Sequence, residues 1–113
     1  MPAQIDLNTF NILKESTGTD FVGELIDTFL EDAPDLIAKM HSALANADAD
    51  SFRRAAHSMK SNAATFGALE LSALARELEG FGRDKNLQVG NRLKVLEEAF
   101  RQASDQLKAL KGR

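Results

Sequence analysis

The sequence predicts an all-α protein, an antiparallel four-helix bundle with a short additional N-terminal helix. Three observations carry this. Apolar residues recur at helical spacing, and no stretch alternates in the manner of a strand. The two Pro and seven Gly do not gather into a linker, and no repeat interrupts the 113 residues, which read as one domain spanning 1–113. The final segment carries an a/d stripe of Val89, Leu93, Leu96, Phe100, Ala103, Leu107 and Leu110.

The first helix is expected from about Leu7 to Glu15, capped by Asp6, with Gly18 beyond its end. It would lie across one end of the bundle. Thr19 or Asp20 can cap a second helix over roughly residues 20–46. Its apolar face is Val22, Ile26, Phe29, Ala33, Leu36, Met40 and Ala43 or Leu44. Pro34 falls inside that run, and a mid-helix Pro removes a hydrogen bond. The apolar phase continues across it, so one kinked helix is expected rather than two.

Asp48 or Asp50 caps a third helix that ends near Ala64, with Phe52, Ala55, Ala56, Met59 and Ala63 on its core face and Phe66 just beyond. Gly67 breaks the chain. The fourth helix carries Leu71, Leu74, Ala75, Leu78 and Phe81, and Gly80, Gly82 and Asn86 mark a turn region. Short turns between long amphipathic helices make neighbours antiparallel.

Composition narrows the function. There is no Cys, so neither a disulfide framework nor a thiolate metal site is available. Seven Phe without Trp or Tyr provide few platforms for stacking bases. A net charge of −3 disfavours nucleic-acid binding, since a protein that neutralises phosphates is usually basic. No apolar run approaches the ~20 residues that span a bilayer. Met1 to Gln4 has neither the basic nor the apolar region of a secretory signal. A soluble, cytoplasmic monomer is expected.

The chain has two His, at 41 and 57. Turning 100° per residue places His57 roughly 140° from the core direction of its helix, so it faces solvent. Lys60 and Ser61 stand one turn on, Ala64 two turns on, and Arg53 one turn back. The face is cationic, with small side chains beside the ring. An exposed neutral imidazole is a nucleophile. Lys60 and Arg53 could steady a phosphoryl group, and phosphoryl transfer asks chiefly for positioning and charge. A His and a Lys three apart are common on helix surfaces and mean little alone. His41, at the edge of the core face, reads as structural or solvated. His41 and His57 make a poor metal pair, because neither has a second ligand spaced on its own helix face. Phe21 and Leu25 turn away from their helix's core stripe; either the first helix covers them or they form an apolar docking patch. Glu97, Glu98, Arg101 and Lys108 read as a solvated face.

The wider stretch from Ala56 to Ala68 resembles the histidine-containing phosphotransfer (HPt) domain family. The family pattern is matched by His57, Met59, Lys60, the small residues Ser61 to Ala64, then Phe66, Gly67, Ala68 and Leu71. Leu78-Glu79 matches a common family pair, and Phe29 to Pro34 looks like the family's second helix. The resemblance covers roughly residues 20–110. It implies a phosphorylatable His, here His57, supported by Lys60. It implies partners too: receiver domains of response regulators or hybrid sensor kinases, docking around Phe21, Leu25, Arg53, Ser61 and Ala64. No cofactor is implied for this chain, the Mg²⁺ belonging to the receiver. Ser61 stands where the family usually has Gly, and its hydroxyl either narrows the site or bonds to the phosphoryl oxygens. No glycine-rich phosphate loop or ATP motif is present, so relay without autonomous kinase activity is expected. The alternatives are a helical module that binds a receiver or kinase without transferring, and a metal hydrolase, which the lack of a clustered ligand set disfavours.

Overall fold

The computed structural model describes residues 5–111. The leading Met1 to Gln4, read above as lacking a secretory signal, lie outside the described residues. Among these the structure is all-helical, with five helices and no strand: α1 (Leu7–Thr17), α2 (Thr19–Ala45), α3 (Ala49–Thr65), α4 (Leu69–Arg83) and α5 (Arg92–Lys111). α2 packs on α3 and α5, α3 on α4, and α4 on α5, which closes a ring of four around the core; α1 rests on α2 and α3. No helix of the described residues is long and apolar enough to cross a membrane.

Local chemistry sets the boundaries. Asp6 caps α1, its carboxylate accepting from the Thr9 amide and hydroxyl. Gly18, at φ +91°, ends α1 and stands at the head of α2, so neither Thr19 nor Asp20 supplies the expected cap. Asp48 caps α3 by accepting from the Ser51 amide. α2 runs through Pro34 unbroken, because Ile26, Phe29, Ala33, Ile37 and Met40 on both sides are buried in one core. That stripe uses Ile37 where Leu36 was expected, and Leu36 is only half-buried. A real helix has 3.6 residues per turn, so a strict three–four alternation drifts by about 20° per heptad, and positions 36 and 37 flank the core direction on either side. Val89 is buried as expected but precedes α5 rather than belonging to it.

Gly80 and Gly82, which with Asn86 predict a turn region, do not form one. The structure instead carries α4 through both to Arg83. Gly82 is a contact point: a Cβ there would stand 2.9 Å from the N, Cα and Cβ of Arg53 on α3. Hydrogen in place of a side chain lets the two backbones meet. Buried Ala55, Ala56, Ala63 and Ala75 keep side chains small along α3 and α4. The hairpin closes at Gly67, whose φ of +81° suits glycine and whose missing Cβ makes room for the Asp6 carbonyl. There the Asp6 amide donates to the Gly67 carbonyl at 2.7 Å. Across the core, Phe29 packs against Phe66 (centroids 5.1 Å apart) and edge-on to Phe100 (5.8 Å).

The two α4 glycines are expected to respond oppositely to alanine. Gly80→Ala meets only the tip of Arg83 at 3.5 Å and gains up to about 1 kcal/mol of helix propensity. Gly82→Ala gains the same propensity but must push α4 off α3, an overpacking cost of ~1–3 kcal/mol. Urea denaturation should therefore show Gly80→Ala stabilised and Gly82→Ala destabilised; equal shifts would mean the α3–α4 contact is loose.

Candidate functional site

His57 sits on the outward face of α3, between the buried pair Ala55 and Ala56 and the buried Met59. Its side chain is 55% exposed. Because α3 and α4 run antiparallel about the Gly67 turn, and His57 and Glu79 stand at equal sequence distance from Ala68, α4 brings Glu79 alongside the ring. The Glu79 Oε2 lies 2.7 Å from His57 Nδ1, and its Oε1 lies 2.6 Å from the Lys60 ammonium. One carboxylate, only 14% exposed, thus holds both residues that the sequence singled out. Ser72 on α4 adds a second tie by donating to the Lys60 carbonyl.

The hydrogen bond from Lys60 does most to hold the Glu79 carboxyl below its ordinary 4.5; burial works against this, and the His57 ring adds to the lowering. Glu79 is therefore ionised at neutral pH and can only accept. Facing an acceptor, Nδ1 is the donor in this contact, and in the uncharged tautomer that makes it the lone pair stands on Nε2.

The face around the ring is not simply cationic. Arg53 turns back to Asp50, at 3.0 Å, and Lys60 is occupied by Glu79. Salt bridges within reach outcompete an open face, and the carboxylate that captures Lys60 comes from the neighbouring helix, where helical spacing could not reveal it. Ser61 and Ala64 are exposed on the same helix as His57. Phe21 is 51% exposed, so α1 does not cover it. Leu25 is half-buried and lines a groove between α2 and α3 with Thr28, Asp32, Asn62, Thr65 and Phe66. His41 lies on the far side, its Nε2 2.8 Å from Glu97 across the α2–α5 seam. Among the described residues no three His, Asp or Glu side chains gather as a metal cage.

A family model of the Hpt domain matches residues 24–112. The chain belongs to that family. Hpt domains carry phosphoryl groups on histidine within phosphorelays and meet receiver domains there. The fold is also similar to the crystal structure of histidine-containing phosphotransfer protein B (HptB) from Pseudomonas aeruginosa PAO1, at 29% identity and a TM-score of 0.78, covering 96% of this chain and 90% of that one. Comparison with curated proteins finds no match. The Hpt match begins inside α2, at residue 24, while the likeness to the HptB structure extends over 96% of the chain. Glu79 is the site residue that sequence reasoning missed. It entered only as half of the Leu78-Glu79 pair, although its symmetry with His57 about the Gly67 turn could have found it.

A depressed carboxyl contributes stability that is present above its unfolded value and lost as pH falls through the folded one. Wild type should thus be more stable than Glu79→Gln at neutral pH, with the gap closing as pH drops past 4.5. Urea melts at stepped pH measure this; a gap constant with pH would show that the charge on Glu79 is not what matters.

Proposed function

We propose that this Hpt domain carries the phosphoryl group on Nε2 of His57. The observation that bears this reading is the Nδ1 contact with an ionised Glu79, which leaves the lone pair on the solvent-facing nitrogen. The reaction is then a simple exchange. Nε2 attacks the phosphorus of a receiver's aspartyl phosphate, the N–P bond forms, the P–O bond breaks, and the receiver's carboxylate departs. Nδ1 keeps its proton, so the ring becomes cationic beside Glu79. Reversal returns the group to another receiver. The Mg²⁺ for this chemistry belongs to the receiver, and this chain adds no ATP chemistry of its own.

Docking around His57 would use Ser61 and Ala64 on α3 with Phe21 and Leu25 on α2, and Arg53 at the rim. The exposure of Phe21 and the groove at Leu25 support an apolar contact there. The ring of α2 to α5 supports an antiparallel four-helix bundle with α1 as the extra helix; that it folds as one domain and acts as a cytoplasmic monomer is part of the proposal.

His57→Gln is expected to abolish labelling by a phosphorylated receiver, with stability changed by no more than about 0.5 kcal/mol, as for other exposed positions. Retained label, or label on His41, would overturn the reading. Ala64→Arg should weaken receiver binding about tenfold, or about 1.4 kcal/mol, while the melt stays put; binding at wild-type strength in titration calorimetry would place docking elsewhere. A receiver that binds but never labels His57 would mark a non-transferring module.

A further inference from the structure

Lys60 and the acceptor nitrogen are on different sides of the same ring. The Lys60 ammonium rests on Glu79 Oε1, while Oε2 of that carboxylate meets Nδ1, the nitrogen away from the reacting one. Lys60 therefore waits at the Nδ1 edge. It stands one helical turn from His57, where side chains three apart are neighbours. Its four-carbon stem is flexible enough to swing past the ring without moving the backbone.

We infer that Glu79 parks Lys60 in the unphosphorylated protein and yields it to the phosphoryl group on transfer, so that competition for one ammonium sets the lifetime of the phosphohistidine. This rests on Nε2 of His57 being the acceptor. Charge accounting carries the inference. Before transfer, the Glu79 carboxylate is balanced by Lys60, and the form of the ring that attacks is neutral, since it needs a free lone pair. After transfer, the ring has kept its Nδ1 proton and gained a bond at Nε2, so it is a cation facing Glu79. The phosphoryl group brings nearly two negative charges and three acceptor oxygens. If Lys60 moves to those oxygens, the ring cation takes its place on Glu79. Every charge then has a partner in both states. That matters because the Glu79 side chain is only 14% exposed, and a carboxylate partly withdrawn from water is better off keeping a cation beside it. The exchange needs no other group: Arg53 is held by Asp50, and the Ser72 hydroxyl is engaged by the Lys60 carbonyl. Glu79 is thus a positioning residue for both His57 and Lys60.

The test is a cycle of wild type, Lys60→Ala, Glu79→Gln and the double variant. Each is labelled with phosphoramidate, whose own P–N bond breaks as the bond to Nε2 forms, and decay is followed by ³¹P NMR. The Glu79→Gln side chain still offers an oxygen to Nδ1–H but no charge to Lys60. Lys60→Ala should shorten the phosphohistidine half-life in both backgrounds, and by a factor at least about threefold larger in the Glu79→Gln background. An equal or smaller factor there overturns the inference. Independently, the ¹⁵N-edited ammonium resonance of Lys60 should shift on phosphorylation of the wild type. A resonance that stays put overturns the inference too, and decides alone if Glu79→Gln accepts no label. Failure of the underlying reading looks different: wild type without label, or His57→Gln with it.

Discussion

The site depends on how closely α4 can approach α3. A glycine at position 82 lets the α4 backbone lie against Arg53, one turn before His57, and this approach carries Glu79 to the edge of the imidazole. A larger residue at that point would hold the helices apart by the thickness of a side chain. The 2.6 and 2.7 Å contacts of Glu79 would then open, and hydrogen bonds do not survive such a gap. The packing of two helices and the electronic state of one ring are in this sense a single fact.

That coupling explains why so few residues make the site. His57 itself needs only exposure, which its place on the outer face of α3 supplies. Its tautomer comes from α4. Lys60 is tied to α4 twice, through Glu79 at its tip and Ser72 at its backbone. On the same helix Ala56 and Met59 are buried beneath the exposed ring, so His57 stands at the surface over packed core. A carrier that must serve a large protein partner is well suited by such an open mounting.

The helices were legible because burial imposes a period on the chain. The continuous phase across Pro34 identified a single α2, and the outward angle of His57 followed from the same geometry. Position Leu36 against Ile37 was not legible, since the drift of the apolar stripe depends on the actual twist of α2. Gly80 and Gly82 misled for a deeper reason. Glycine marks turns and also marks close backbone contacts, and only the partner helix tells which. Glu79 escaped for the same cause: pairing between elements is set by the α3–α4 register, and within-helix spacing carries no record of it.

One small feature at the end of the bundle bears on how the molecule is assembled. The helix pairs α2–α3, α3–α4 and α4–α5 join neighbours in sequence, whereas the Ile5 amide reaches the Gln106 side chain across 101 residues. Contacts between distant positions repay their loop entropy last, and those with little buried surface behind them are the first to open. The N-terminal strap does have buried surface behind it, since Ile5 and Phe10 lie in the common core and Asp6 is bonded to Gly67. Lifting α1 away would uncover Ile5 and Phe10 together, so the segment is held by shared core as well as by its end contacts.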